Sequence, residues 1–202
     1  EQLAATKRAT LADVKAFYRD FVGANHAELV VVGDFDAAAI TAQIERRFGG
    51  WASKRAYTRL ADKPFGAPAA ARSIAIADKE MTQLVVAHDV AIKDTDADYA
   101  AWLMVGHLLG GDSGSRIWTR LRESEGLSYG AGAWTYAGAV DDGGGFGASA
   151  IVAPQNLATA RAALLDEITK LAAGPITAAE LQRGKDSWRK TQDTNLANDG
   201  NV

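Results

Sequence analysis

An arginine and a tyrosine seven positions apart, Arg122 and Tyr129, stand in the stretch LLGGDSGSRIWTRLRESEGLSYGAGAW that runs from Leu108 to Trp134. The stretch reads as a helix ending at Gly110-Gly111, a new start capped by Ser113 or Ser115, a short helix stopped by Gly126, and a strand from Leu127 to Trp134. Arg122 then lies on the helix and Tyr129 at the strand entrance. A guanidinium and a phenol can both reach the space above the junction, which is the geometry of a site. The bland alternative is a solvated helix charge beside Glu123 and Glu125 and a half-buried strand aromatic. Other chemistry is less well supplied. The histidines His26, His88 and His107 are scattered, and none has a partner at the one-turn spacing that a helical metal pair needs. Ser113 and Ser115 have no nearby histidine to act as base. The run Gly110 to Ser115 opens a helix but is not followed by the Lys-Ser/Thr pair of a phosphate loop. Gly143-Gly144-Gly145 reads as a turn, and Asp141 with Asp142 as a solvated one.

The elements that must position the pair follow from caps and periodicity. Thr10 to Asp13 is a capping box, and Leu11, Val14, Phe17, Tyr18 and Phe21 follow at helical spacing. Glu28 to Gly33 is a β-branched run that predicts a buried strand, and Asp34 or Asp36 caps a helix carrying Ile40, Ile44 and Phe48. From Trp51 to Ala71 the composition turns to Lys, Arg, Pro, Gly and Ala, which predicts an exposed linker. Strands are predicted over Ser73–Ala77 and Gln83–Val90. A helix capped by Thr95 with Asp98 then runs through Trp102, Leu103 and His107 to Gly110. Beyond the central stretch, Phe146–Val152 predicts a strand pairing antiparallel with the one from Leu127. Pro154 starts a helix with Leu157, Leu164, Leu165, Ile168 and Leu171 inward, and Thr177 to Glu180 caps another that runs to Asn198. Paired strands with flanking helices predict an α+β fold, one mixed and mainly antiparallel sheet with helices packed on one face.

Gly114-Ser115-Arg116-Ile117, Leu121-Arg122-Glu123 and Gly126-Leu127-Ser128-Tyr129 together resemble, with the same spacing, the second-half signature of the pitrilysin/insulinase family of zinc metallopeptidases, roughly S-R-L…L-R-E-x-x-G-L-x-Y. In weaker form the resemblance runs from about Thr10 to Lys190, through VVVGDFD at Val30–Asp36, KEMTQ at Lys79–Gln83 and PITAAELQRGK at Pro175–Lys185. It implies two related halves, each a sheet covered by helices, that close around an extended peptide. Residues 1–55 then read as the end of the preceding half-domain with a linker, and residues 56–202 as a C-terminally truncated second half-domain of the substrate-binding, non-zinc kind. Because the halves are related, the helix-strand-helix at the N-terminus would be able to take the place of the missing C-terminal pieces.

The resemblance also assigns roles. The matching Arg and Tyr cross the cavity toward the zinc centre of the first half, so Arg122 is expected to engage a substrate carbonyl and Tyr129 to donate to the developing oxyanion. Both types suit charge that appears only in the transition state. Ser115 and Arg116, at the same helix start, are further candidates for substrate contact, with Arg116 alternatively holding the helix start. The H-x-x-E-H arrangement of the family is missing, so no cofactor is expected in this chain, which should be inactive alone, and zinc is expected in the other half. The expected partners are a peptide substrate and a zinc-binding half, in the same polypeptide or a separate subunit. The alternative within the resemblance is a partner or core-type subunit that keeps the fold without catalysis.

Composition sets bounds on all of this. With 202 residues and 48% apolar content the chain can bury a core, and a formal charge of -3 without a basic block argues against a nucleic-acid partner. No apolar run approaches the roughly 20 residues of a membrane span. The absence of cysteine excludes disulfides, thiolate metal sites and a cysteine nucleophile. The resemblance to exported relatives suggests a bacterial periplasmic origin.

Overall fold

The Thr10 box closes as its residues dictate. In the computed structural model, which describes residues 2–64 and 66–197, the Asp13 amide donates to Thr10 Oγ1 at 3.2 Å and the Thr10 amide donates to the Asp13 carboxylate at 2.9 Å. This cap starts α2 (Leu11–Phe21), which follows α1 (Gln2–Arg8). Asp36 caps α3 (Ala37–Phe48), accepting from the amides of Ala38 at 2.9 Å and Ala39 at 3.1 Å. Phe17 and Phe21 stack at 4.9 Å, and Tyr18 stacks on Trp51 at 5.8 Å.

Two predicted strands do not form. Leu29 to Val32 and Ser73 to Ala77 are extended or irregular backbone without a ladder, and Leu29, Val30, Ile74 and Ile76 are exposed. A β-branched run becomes a strand only where another strand presents its free amides and carbonyls, and neither run meets one. The N-terminal segment, expected as helix-strand-helix, therefore supplies no strand to the sheet. The chain divides into two compact units, one reaching to Leu60 and the other spanning Ala61–Asn195.

The second unit is an α+β assembly. Its elements are β1 (Thr82–Val90), α4 (Tyr99–Gly110), α5 (Arg116–Trp118), β2 (Ser128–Tyr136), β3 (Gly144–Val152), α6 (Leu157–Ala173) and α7 (Ala178–Leu196). The three strands form an antiparallel sheet in the order β1-β3-β2, with the β2–β3 pairing that the sequence predicts. One face is the core face. Leu84, Ala150 and Ala131 share one row across it, and Val86, Ala148 and Ala133 the next. Against it pack Leu109, Ile117, Leu121 and the inner stripe of α6, where Ala160, Ala163, Leu164 and Leu171 are buried and Leu157 and Ile168 partly so. Small residues on the sheet let the helices come close, so alanines that carry little weight in a periodicity argument (Ala148, Ala150, Ala160 and Ala163) are four of the ten buried residues of this cluster. The helix after β1 starts later than predicted. It begins at Tyr99 with no side-chain cap from Asp98, while the Asp96 carboxylate accepts from the Lys93 amide at 2.8 Å and closes the turn first.

The approach of α4 to β2 is closest at Gly110. A Cβ there would overlap the Ala133 backbone nitrogen and lie 2.5 Å from the Gly132 carbonyl carbon. Backbone cannot move aside as a side-chain tip can, so Gly110→Ala is expected to destabilise the fold by about 1–3 kcal/mol, read as a lower denaturant midpoint at unchanged slope. An unchanged midpoint would show that the helix slides freely.

Candidate functional site

Between α5 and β2 the helix widens. Thr119–Ser124 is π-helical, with the Glu125 amide donating to the Arg120 carbonyl at 2.9 Å, and the Leu127 amide closes its end by donating across six residues to the Leu121 carbonyl at 2.8 Å. In such a turn, residues five apart align, as in Arg120 Nε donating to Glu125 at 2.8 Å and Trp118 Nε1 to Glu123 at 3.2 Å. Ile117 and Leu121 are fully buried and anchor the segment, which turns Arg122 outward. Gly126, at φ +59°, then reverses the chain where a side chain would be strained.

The strand begins with a second irregularity. Ser128 pairs with Val152 and Gly130 with Ile151, so Tyr129 is an extra residue in a β-bulge. The Ser128 hydroxyl pins the bulge, 2.7 Å from the Gly130 carbonyl and 2.9 Å from that of Ile151. Tyr129 is 72% exposed as a result. The Arg122 guanidinium donates to the Ser128 carbonyl at 3.3 Å and lies over the Tyr129 ring at 5.4 Å from its centroid. The structure thus brings Arg122 and Tyr129 together on an open surface, a fixed cation beside a phenol whose hydroxyl is free to meet a ligand.

Ser115 and Arg116 are not brought to that surface. Ser115 is fully buried and donates to the Asp112 carbonyl at 2.6 Å instead of capping an amide. Arg116 forms a two-pronged pair with Glu180, Nε to Oε1 at 2.6 Å and Nη2 to Oε2 at 2.8 Å, tying the start of α5 to α7. Thr177 Oγ1 accepts from the Glu180 amide at 3.1 Å, so only the cap half of the predicted box forms there; the Glu180 carboxylate goes to Arg116. The hydrogen bond from Arg116 holds the Glu180 carboxyl below its ordinary value of 4.5, partly opposed by desolvation. A depressed carboxyl stabilises the fold above its unfolded value, and that contribution is lost as pH falls through the lowered folded value. Glu180→Gln is therefore expected to lower Tm at neutral pH and to flatten the loss of Tm in acid below pH 4.5. A mutant and a wild type with parallel Tm curves from pH 7 to strong acid would contradict this.

Arg120 sits in a wider network with Glu125, Asp166 and Glu167, and Lys170 joins at 2.6 Å from Asp166. Of these, Arg120, Glu125, Glu167 and Lys170 line a surface groove of about 590 Å³ together with Arg116 and Glu180. Its cations are already matched by carboxylates. His107 is held away from the Arg122–Tyr129 pair. Its Nε2 lies 3.2 Å from Ser187 Oγ and 3.5 Å from the Asp112 carboxylate, and Ser187 donates to Asp112. Hydroxyl and carboxylate meet the same ring nitrogen, so this is no relay of the Ser-His-Asp type; it pins the turn before α5 to α7. Sequence reasoning missed this cluster, and its 80-residue separation leaves no local signal. His26 stacks on Tyr57 at 5.2 Å, and His88 lies exposed on β1. Among the described residues no group of three or more His, Cys, Asp or Glu side chains is placed to hold a metal ion. Nor is any described helix long and apolar enough to cross a membrane.

A family model described as the peptidase M16 inactive domain matches residues 8–187. Among solved structures, a protease from Helicobacter pylori is similar at 20% identity and a TM-score of 0.78, over 98% of this chain and 48% of that one. The peptidase M16 inactive domain from Pseudomonas fluorescens aligns at 22% identity and a TM-score of 0.67, over 92% of this chain and 44% of that one. A conserved protein from Enterococcus faecalis V583 aligns at 18% identity and a TM-score of 0.70, over 98% and 46%. The chain thus spans less than half the length of these solved chains. No curated protein matches it.

Proposed function

Because this chain belongs to the peptidase M16 family, as an inactive domain of it, we propose that it is the substrate-holding half of a two-half zinc endopeptidase, placing Arg122 and Tyr129 against the backbone of an extended peptide. The inactive domain is the non-catalytic kind of half, and its described residues offer no ligand set for zinc. Zinc, in this reading, belongs to the other half, in the same polypeptide or in a partner subunit. The observation that carries the proposal is the exposed, mutually held Arg122–Tyr129 pair, set out by a π-helical turn on one side and a β-bulge on the other. Irregular backbone of both kinds recurs at functional sites, because it aims a side chain that regular geometry would turn elsewhere.

The chemistry follows from the donors. The guanidinium stays charged at any working pH and offers a planar fork that can orient a substrate carbonyl. Tyr129 offers one directional O–H to the carbonyl oxygen as negative charge grows on it. Resting on the Tyr129 ring and the Ser128 carbonyl, Arg122 is held in place before substrate arrives, which reduces the ordering that binding would otherwise require. Ser115 and Arg116 serve by anchoring the helix start beneath the pair, through Asp112 and Glu180.

Two measurements test the proposal. Arg122→Ala and Tyr129→Phe in the complete protein are expected to lower peptide turnover strongly with zinc content unchanged. The chain alone, purified and dialysed against excess zinc, is expected to retain no stoichiometric metal; one tightly held zinc per chain would contradict the assignment of the metal to the other half.

A further inference from the structure

The sheet has a second face, and that face is open. Reading across the register away from Tyr129, its rows are Gly130, Ile151 and Gln83; then Gly132, Ser149 and Val85; then Trp134, Gly147 and Ala87; then Tyr136, Gly145 and Asp89. Asp89, in the last row, is the only charged side chain among them. Val85 is 51% and Trp134 44% exposed, and Ile151 and Tyr136 are exposed as well. The aromatic rings lie down across the strand beside them. A Cβ at Gly147 would overlap the Trp134 ring, and one at Gly145 would lie 2.5 Å from Tyr136 Cζ. Glycine in β3 thus lets the two rings cover the sheet as a flat apolar floor, where an aromatic standing upright would block it.

This floor is continuous with the proposed site. Gly130, the register partner of Ile151, follows Tyr129 directly in the chain. From Gly130 to Tyr136 the strand advances by about 20 Å, the length of roughly six residues of extended peptide. A peptide whose scissile carbonyl meets Arg122 and Tyr129 has one flank directed along this floor. A charged side chain laid there would lose water and find no opposite charge in the first three rows, where Gln83 and Ser149 are the polar side chains, whereas an apolar one would bury surface against Ile151, Val85 and Trp134.

We propose that this face is a specificity surface that selects apolar and aromatic side chains, and rejects charged ones, within about six residues of the scissile bond on one side of an extended peptide. It rests on the reading of Arg122 and Tyr129 as backbone contacts, and its occupant is that same peptide.

The test uses the complete protein and fluorescein-labelled peptides with an N-methylated, uncleavable scissile bond, so that binding is read whether or not the protein cleaves. In one set the flank on either side carries Leu and Phe, in another Lys, in a third Glu. Peptides with Leu and Phe on one flank are expected to bind about tenfold more tightly than those with Lys or Glu there, with the other flank tolerant. Val85→Lys, at an exposed position that leaves the core untouched, is expected to bring the Leu/Phe and Glu sets within about twofold of one another, since the new cation pairs with Glu. Trp134→Ser, checked by its circular dichroism, is expected to reduce the apolar preference in the same direction. Equal binding of all sets to the wild type, or an apolar preference that survives both variants, would overturn the specificity surface. Binding that falls with Arg122→Ala but is flat across flanks removes this inference alone; loss of all peptide binding in the wild type removes the proposed function with it.

Discussion

Tyr129→Phe, introduced into the complete protein, is expected to lower kcat by about 10²- to 10³-fold, the loss that follows removal of one donor aimed at a developing oxyanion. The change is sparing. The ring stays, so the contact with the Arg122 guanidinium stays, and at 72% exposure the hydroxyl supports no packing that its removal would disturb. What is removed is a single O–H, and if that O–H acts only when the carbonyl oxygen becomes charged, kcat and kcat/KM fall together with KM little changed. Arg122→Ala should show a similar fall in kcat/KM with a larger share in KM, because in the proposed role the guanidinium also meets the ground-state carbonyl. Arg122→Lys should recover little, since an ammonium cannot reproduce the planar fork or rest on the ring in the same way. Steady-state kinetics with one peptide, paired with zinc analysis of each variant, checks all three. Wild-type rates in Tyr129→Phe and Arg122→Ala would remove both residues from the mechanism.

Leu121→Ala carries the largest expected effect on stability. Leu121 is fully buried in the core cluster with Leu109, Ile117 and Leu164, and its own carbonyl accepts the Leu127 amide at the end of the π-helical turn. Truncation to Ala removes the side chain that seats this turn and leaves a cavity beneath it, at about 2–5 kcal/mol. For a chain of this size each kcal/mol lowers Tm by about 2–4 °C, so the midpoint should fall well outside experimental error. Leu121→Met, which keeps volume, should cost less than about 1.5 kcal/mol. If Leu121→Ala is no more damaging than Leu121→Met, the turn is not seated by this side chain, and the outward aim of Arg122 needs another cause.

How much of this was legible in the chain divides along the range of the interactions. Capping at Thr10 and Asp36, the helices that follow, the inner stripe of α6 and the pairing of β2 with β3 are local consequences of residue type and spacing. Over a few residues there is little for tertiary structure to override. The Arg122–Tyr129 pair was legible for the same reason, both residues flanking one short junction. The strands expected at Leu29 to Val32 and Ser73 to Ala77 fail on the opposite ground. β-Branched composition states a preference, but a strand needs a partner edge, and partners are not written in the run itself.

What only the folded chain decides is where side chains of mixed use are spent. Arg116 and Arg122 are alike by type and lie on one short helix, yet Arg116 is committed to Glu180, 64 residues away, while Arg122 is left at the surface. Ser115, Thr177 and Asp98 are all acceptable caps by composition, and Thr177 alone accepts its predicted amide. The π-helical turn and the bulge at Tyr129 are accommodations between a helix whose leucine must reach the core and a strand whose register is set by β3. The sequence by itself therefore determined the family, most of the helices and the nearness of Arg122 to Tyr129 across one junction, because short-range patterns encode them. The tertiary structure decided which cations are bound up, which way the pair points and which sheet face stays open, because those outcomes depend on contacts between residues far apart in the chain.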